Sequence, residues 1–245
     1  MVYNNQFSMD KYFENNYGLP KKPAKYVFGK KSFLVLILFC WIWIPLAIIM
    51  TVKANNARKA WDEAYEYRRT NWWKEYEKAR EKAIVDMKIK ESAFKKLGIV
   101  EGDPDLDAVE PIFFYGPIFK GKDAYWRHSE AGDVRASKYE CTYIVFKKEQ
   151  ILFYTNILNL CDTQKKKEST QEFFYSDITS VNISTESTTP DTAATGDKEA
   201  VEIDVEKVVL VVPGDKISMA FTPTEQGEES IKGMRNLIRE RKSKA

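Results

Sequence analysis

The chain is poor in the residues that usually announce catalysis. Its 245 residues include one histidine and three cysteines. The histidine, His128, stands in Tyr125-Trp-Arg-His-Ser-Glu130 with no companion base, which reads as a surface or loop residue. There is no nucleophile elbow, no P-loop, no dinucleotide glycine fingerprint and no metal-ligand spacing. The expectation is therefore a non-enzyme, with no catalytic residue, no cofactor and no metal site. Asp103, Asp105 and Asp107 alternate like half of a calcium loop, but the glycine and distal glutamate that such a loop needs are missing. Cys40, Cys141 and Cys161 are too few and too dispersed for a disulfide framework or a zinc site. A reduced compartment is the simpler reading, with a Cys141–Cys161 bridge in an exported domain as the alternative. The net charge of +2 argues against a nucleic-acid partner.

Charge is also absent from one long stretch. Ser32 to Val52 is an uninterrupted apolar run closed by Lys30 and Lys31 on one side and Lys53 on the other. About 20 apolar residues suffice for a helix to cross the hydrocarbon of a bilayer. The run predicts a single-pass transmembrane helix over 32–52, bent at Pro45, and makes the membrane a partner. The residues before it, 1–31, are rich in Asn, Tyr, Phe and Lys, and contain Gly18-Leu-Pro-Lys-Lys-Pro23. They read as a mobile basic tail, with a docking peptide as the alternative.

Proline and glycine are absent from Ala54 to Leu97, a stretch dense in Ala, Glu, Lys and Arg. A helical stalk is predicted over 53–98, ended by Gly98. Trp61, Tyr65, Trp72 and Tyr76 recur at helical spacing on one side of it, with Arg68 interrupting. This stripe is a candidate surface for self-association into a homo-oligomer. A strict coiled coil would need cleaner aliphatic heptads.

After a connecting segment, 99–138, that holds the first strand or strands, the pattern turns to period two. Tyr139 to Phe146 and Ile151 to Ile157 read as a hairpin. Glu172 to Val181 reads as a kinked strand, Val201 to Val212 as a half-buried strand, and Ile217, Met219 and Phe221 as the last one. Glu228 to Arg241 closes the chain as an amphipathic helix carrying Ile231, Met234, Leu237 and Ile238. The fold class is α+β: one transmembrane helix, a long helical stalk, and an antiparallel β-barrel or sandwich capped by a C-terminal helix.

Consecutive antiparallel strands capped by one helix resemble the pleckstrin-homology-like (PH-like) superfold, including its GRAM and bacterial PH-like groups. Phe173-Phe-Tyr-Ser-Asp-Ile-Thr-Ser-Val181 is similar to a strand motif of those groups, and Ile144 to Tyr154 to the hairpin before it. The resemblance covers 139–243 and is interrupted by a Ser- and Thr-rich insertion, 184–200, that reads as a mobile loop. It implies binding, with a protein partner or anionic lipid headgroups as the ligand and a sheet edge or the helix flank as the platform. Lys147, Lys148, Lys165, Lys166 and Lys167 are the candidate headgroup contacts. The lysines flanking the apolar run do not choose a side. The resemblance and the cysteines together put the C-terminal domain on the cytoplasmic side. The expected function is thus a membrane-anchored binding or scaffold protein. The alternative is an accessory subunit of a larger complex, with the transmembrane helix as its main contact.

Overall fold

A computed structural model describes residues 3–24, 40–100, 102–121, 123–128, 133–164, 167–190, 192–193 and 202–244. The chain divides into two compact units, Met1–Glu77 and Lys78–Ala245. The helix α2, Cys40–Asp86, contributes residues to both.

In the first unit a short helix, α1 (Met9–Phe13), leads into a tight turn at Asn15–Gly18. Asn16, Tyr17 and Gly18 all adopt positive φ, at 51°, 54° and 69°. Left-handed backbone suits glycine but costs a residue such as tyrosine on the order of 1 kcal/mol, so something outside the turn must hold it. The holding group comes from α2. Part of the expected mobile tail is packed: Tyr12, Phe13, Tyr17 and Leu19 are buried, as are Trp61, Ala64, Trp72 and Tyr76 of α2, while 1–2 and 25–31 lie outside the described residues.

The predicted transmembrane helix is not found. Among the described residues no helix is long and apolar enough to cross a membrane. Of the apolar run, the described residues Cys40–Val52 lie in α2. The helix then continues into Lys53 and the charged sequence beyond it. The rest of the run, 32–39, lies outside the described residues. The expected membrane span and the localisation derived from it are corrected accordingly. Leu46, Ile48, Ile49, Met50 and Val52 are exposed side chains on α2.

The stalk does not run straight to Gly98. It breaks at Lys88, which takes a left-handed conformation (φ 46°), and restarts as α3 (Ile89–Lys96). Ala93 of α3 packs with Tyr143, Val145, Leu152 and Tyr154 of the sheet. Gly98, at φ 65°, ends α3, and the N–H of Ile99 reaches back to the Phe94 carbonyl.

Two antiparallel sheets make the body of the second unit. The first has the order β1-β4-β5-β6, formed by Ile112–Ile118, Lys138–Phe146, Gln150–Asn159 and Lys167–Phe174. The second has the order β10-β9-β7, formed by Asp215–Ala220, Ile203–Val212 and Ser180–Thr188. A small third sheet joins β2 (Tyr125–His128) and β3 (Val134–Ala136) with β8 (Thr192–Ala193), which pairs parallel to β2. The last helix, α4 (Glu225–Lys244), buries Ile231, Met234, Leu237 and Ile238 against Ile144, Phe146, Phe153 and Leu210.

The two main sheets meet along β1 and β10. Gly116 makes this possible, since a Cβ there would lie 2.5 Å from the Ala220 carbonyl carbon. The Thr222 N–H donates to the Tyr115 carbonyl at the same seam. The strands at the other margins, β6 and β7, are each paired on one side only among the described residues. The expected loop 184–200 is strand as far as Thr188 and again at Thr192–Ala193, while 191 and 194–200 lie outside the described residues.

Candidate functional site

The aromatic stripe on α2 is occupied by the chain itself. Trp61 Nε1 donates to the Pro20 carbonyl at 2.7 Å, and Trp72 Nε1 to the Asn5 carbonyl at 3.3 Å. Tyr12 stacks on Tyr76, and Tyr17 meets Tyr65 and Trp72 edge-on. Arg68, which interrupts the stripe in the sequence, completes it in the fold. The residue is 4% exposed, and its guanidinium donates to the carbonyls of Tyr17 (2.7 Å) and Asn4 and lies 4.6 Å from the Trp72 ring centre. Desolvation lowers its pKa from the usual arginine value. The bond to Tyr17 is what holds the left-handed turn. Three of the four stripe residues proposed for self-association, Trp61, Trp72 and Tyr76, are thus buried within one copy of the chain.

The lysines do not converge. Lys147 lies at the β4–β5 hairpin, where it pairs with Asp103 at 3.4 Å, and the Lys148 N–H donates to the Asp105 carbonyl. The N–H of Asp105, with Lys147 and Lys148 nearby, holds the Asp103 carboxyl below the usual range. Lys167 stands opposite Ile157, near the other end of β5. Seven residues of extended strand separate the two places, roughly 24 Å. Lys165 and Lys166 lie outside the described residues. The three lysines that are described therefore do not make one anion site.

The remaining polar residues have local roles. Asp107 pairs with Arg241 and ties the loop before β1 to α4, while Asp103 caps the Asp105 N–H. Among the described residues no cluster of three or more His, Cys, Asp or Glu could hold a metal ion. His128 packs edge-on to Trp126 in the small sheet. Cys141 and Cys161 are not joined in a disulfide, and burial pushes the Cys141 thiol up to about 12, where it is unreactive at neutral pH. Glu140 and Lys207 line a narrow cleft of about 180 Å³ beside the β1–β10 seam, and burial raises the Glu140 carboxyl above its usual range.

A feature that the residue pattern did not single out is the free margin of β7. The Phe221 N–H donates to the Glu206 carbonyl, so Glu206 turns its backbone toward β10. By alternation, Val205, Lys207, Val209 and Val211 turn theirs toward β7, where they face Glu186, Ser184, Asn182 and Ser180. Val181, Ile183, Thr185 and Ser187 must then turn theirs away from the sheet. The Val181 carbonyl agrees with this, because it accepts a hydrogen bond from Arg235 Nε of α4 at 3.0 Å. Lys242 of α4 likewise caps the Ile178 carbonyl. Beyond Val181 the margin has no partner strand at Ile183 and Thr185 among the described residues, and the Ile183 side chain is exposed. The signal was in the sequence: Ser180–Thr188 carries a single charge, Glu186, and neither lysine nor proline.

No family model, curated protein or solved structure matches the chain.

Proposed function

We propose that the second unit is a protein-recognition module that acts by binding, and that it takes an extended segment of a partner protein along the free margin of β7. The carrying observation is the outward alternation of Val181, Ile183, Thr185 and Ser187. Unpaired strand groups are satisfied when an added strand supplies main-chain hydrogen bonds, and alternate side chains then read the partner. Edge strands that must stay alone are usually guarded by lysine, proline or bulges, and β7 carries neither lysine nor proline. Two antiparallel meanders with one helix packed over them are the arrangement on which the PH-like resemblance rests, and they support the same reading. Headgroup binding has less support, because the described lysines are split between two places.

The test is selection of peptides from a random display library on the full chain, followed by Thr185→Pro. An edge strand tolerates proline where its N–H faces outward, so circular dichroism should be unchanged. The selected peptides should lose at least about tenfold in affinity, the equivalent of one or two main-chain bonds. A library that yields no peptide, or peptides that bind Thr185→Pro as tightly as the wild type, would contradict the proposal.

A further inference from the structure

The face of the first sheet that α3 covers continues past it. Along β5, Leu152, Tyr154, Asn156 and Leu158 point to this one face by strand alternation. Leu152 and Tyr154 lie under α3, whereas Asn156 and Leu158 line a cleft whose other wall is the end of α2. The cleft measures about 310 Å³, and Ala83 and Met87 contribute its helical wall. Lys82 and Asp86 stand exposed at its rim, one helical turn apart.

Asn156 is the anomaly. Its side chain is 2% exposed, yet its Oδ1 has no hydrogen-bond partner among the described residues. Its orientation is set from the other end. Nδ2 donates to the Tyr154 hydroxyl at 3.5 Å, that hydroxyl donates to Glu168 at 2.8 Å, and Glu168 pairs with Lys96 at 2.8 Å. Tyr154 already gives its proton to Glu168, so rotating the Asn156 amide would leave its oxygen facing a hydroxyl with nothing to donate. A buried acceptor left alone is costly, and native proteins supply a donor.

We propose that this cleft is a binding site for a neutral, mainly apolar small molecule bearing one N–H or O–H donor. The donor bonds to Asn156 Oδ1, an atom that is covered in the free chain and is reached by a small shift of the side chains over it, and the apolar body lies between Met87 and Leu158. The opposite charges of Lys82 and Asp86 cancel at the rim, which favours a ligand without net charge. A cavity of roughly 150 Å³ already accepts benzene, so this one accommodates a bicyclic ring.

The experiment is a titration of the full chain with indole and with 1-methylindole, followed by heteronuclear NMR. The two probes share a ring system, but the second has no N–H. Indole should shift the Asn156 side-chain amide and bind about tenfold or more tightly than 1-methylindole. Asn156→Leu should erase that preference, and Ala83→Trp should fill the cleft and abolish both. The probe ratio in the unaltered protein is decisive even if a variant fails to fold. Equal binding of the two probes, binding that survives Ala83→Trp, or a bound water that millimolar indole does not displace would each overturn the proposal.

Discussion

The two units bury their interiors by different means. The first packs α2 against a segment that is extended outside the short helix α1 and its tight turn, so it offers a stripe rather than a layered core. It fills that stripe with large rings: Tyr12, Tyr17, Trp61, Trp72 and Tyr76. An extended segment carries carbonyls that no neighbouring strand satisfies. The donors of the stripe, Trp61 Nε1, Trp72 Nε1 and the Arg68 guanidinium, meet them at Pro20, Asn5, Tyr17 and Asn4. The strands of the second unit pair within its sheets, and the core they form with α4 is apolar, from Phe114 and Ile144 to Leu210 and Ile231. Hydrogen bonding specifies the first interior, and shape specifies the second.

The largest effect is expected in the second unit. Phe146→Ala leaves a cavity between the sheets and α4, and should cost about 3–5 kcal/mol, read as a fall in the denaturant midpoint of that unit. An unchanged midpoint would mean that the core is not where the fold is held. Next comes Arg68→Met in the first unit. It keeps the aliphatic bulk but strands the carbonyls of Tyr17 and Asn4, at about 1–3 kcal/mol each. Amide exchange should accelerate over residues 4–19 and stay unchanged in β4 and β5. Arg68→Lys should recover only part of the loss, because an ammonium does not span both carbonyls as a planar fork does.

The smallest effect concerns Glu140. Burial raises its carboxyl above the usual range. A carboxyl raised in the folded state adds stability below its unfolded value, and that contribution is lost as pH rises through the folded one. Glu140→Gln should therefore match the wild type in melting temperature under acid conditions and exceed it slightly at neutral pH. A variant that is less stable at neutral pH would give the carboxylate a stabilising role instead.

Much of the second unit was legible beforehand. β4, β5, β9, β10 and α4 follow the predicted segments because alternation and a single apolar helix face are strong local signals. The short strands β2 and β3 were not separable from the connecting segment, since three or four residues carry no period. The kinked strand at Glu172–Val181 is two strands on different sheets, joined by a turn at Tyr175–Asp177. The break at Lys88 has neither glycine nor proline to mark it and goes with the packing of Ala93 of α3 on the sheet. The apolar run misled most: its composition predicts a span, whereas among the described residues no helix is long and apolar enough to be one. Arg68 misled in a similar way: on a helical wheel it is a charge within an apolar stripe, and only the carbonyls of a distant segment explain it. The open margin of β7 depends on which strands pair, and pairing is not a local property.

The proposal for β7 rests on alternation along one strand, and residue-resolved hydrogen exchange of the full chain tests it most directly. The amides of Ile183 and Thr185 should exchange rapidly, while those of Asn182, Ser184 and Glu186 are protected by β9. Addition of a selected peptide should slow Ile183 and Thr185 specifically. Uniform protection of Asn182 through Glu186 in the free protein would mean that this margin is already paired, and would contradict the account.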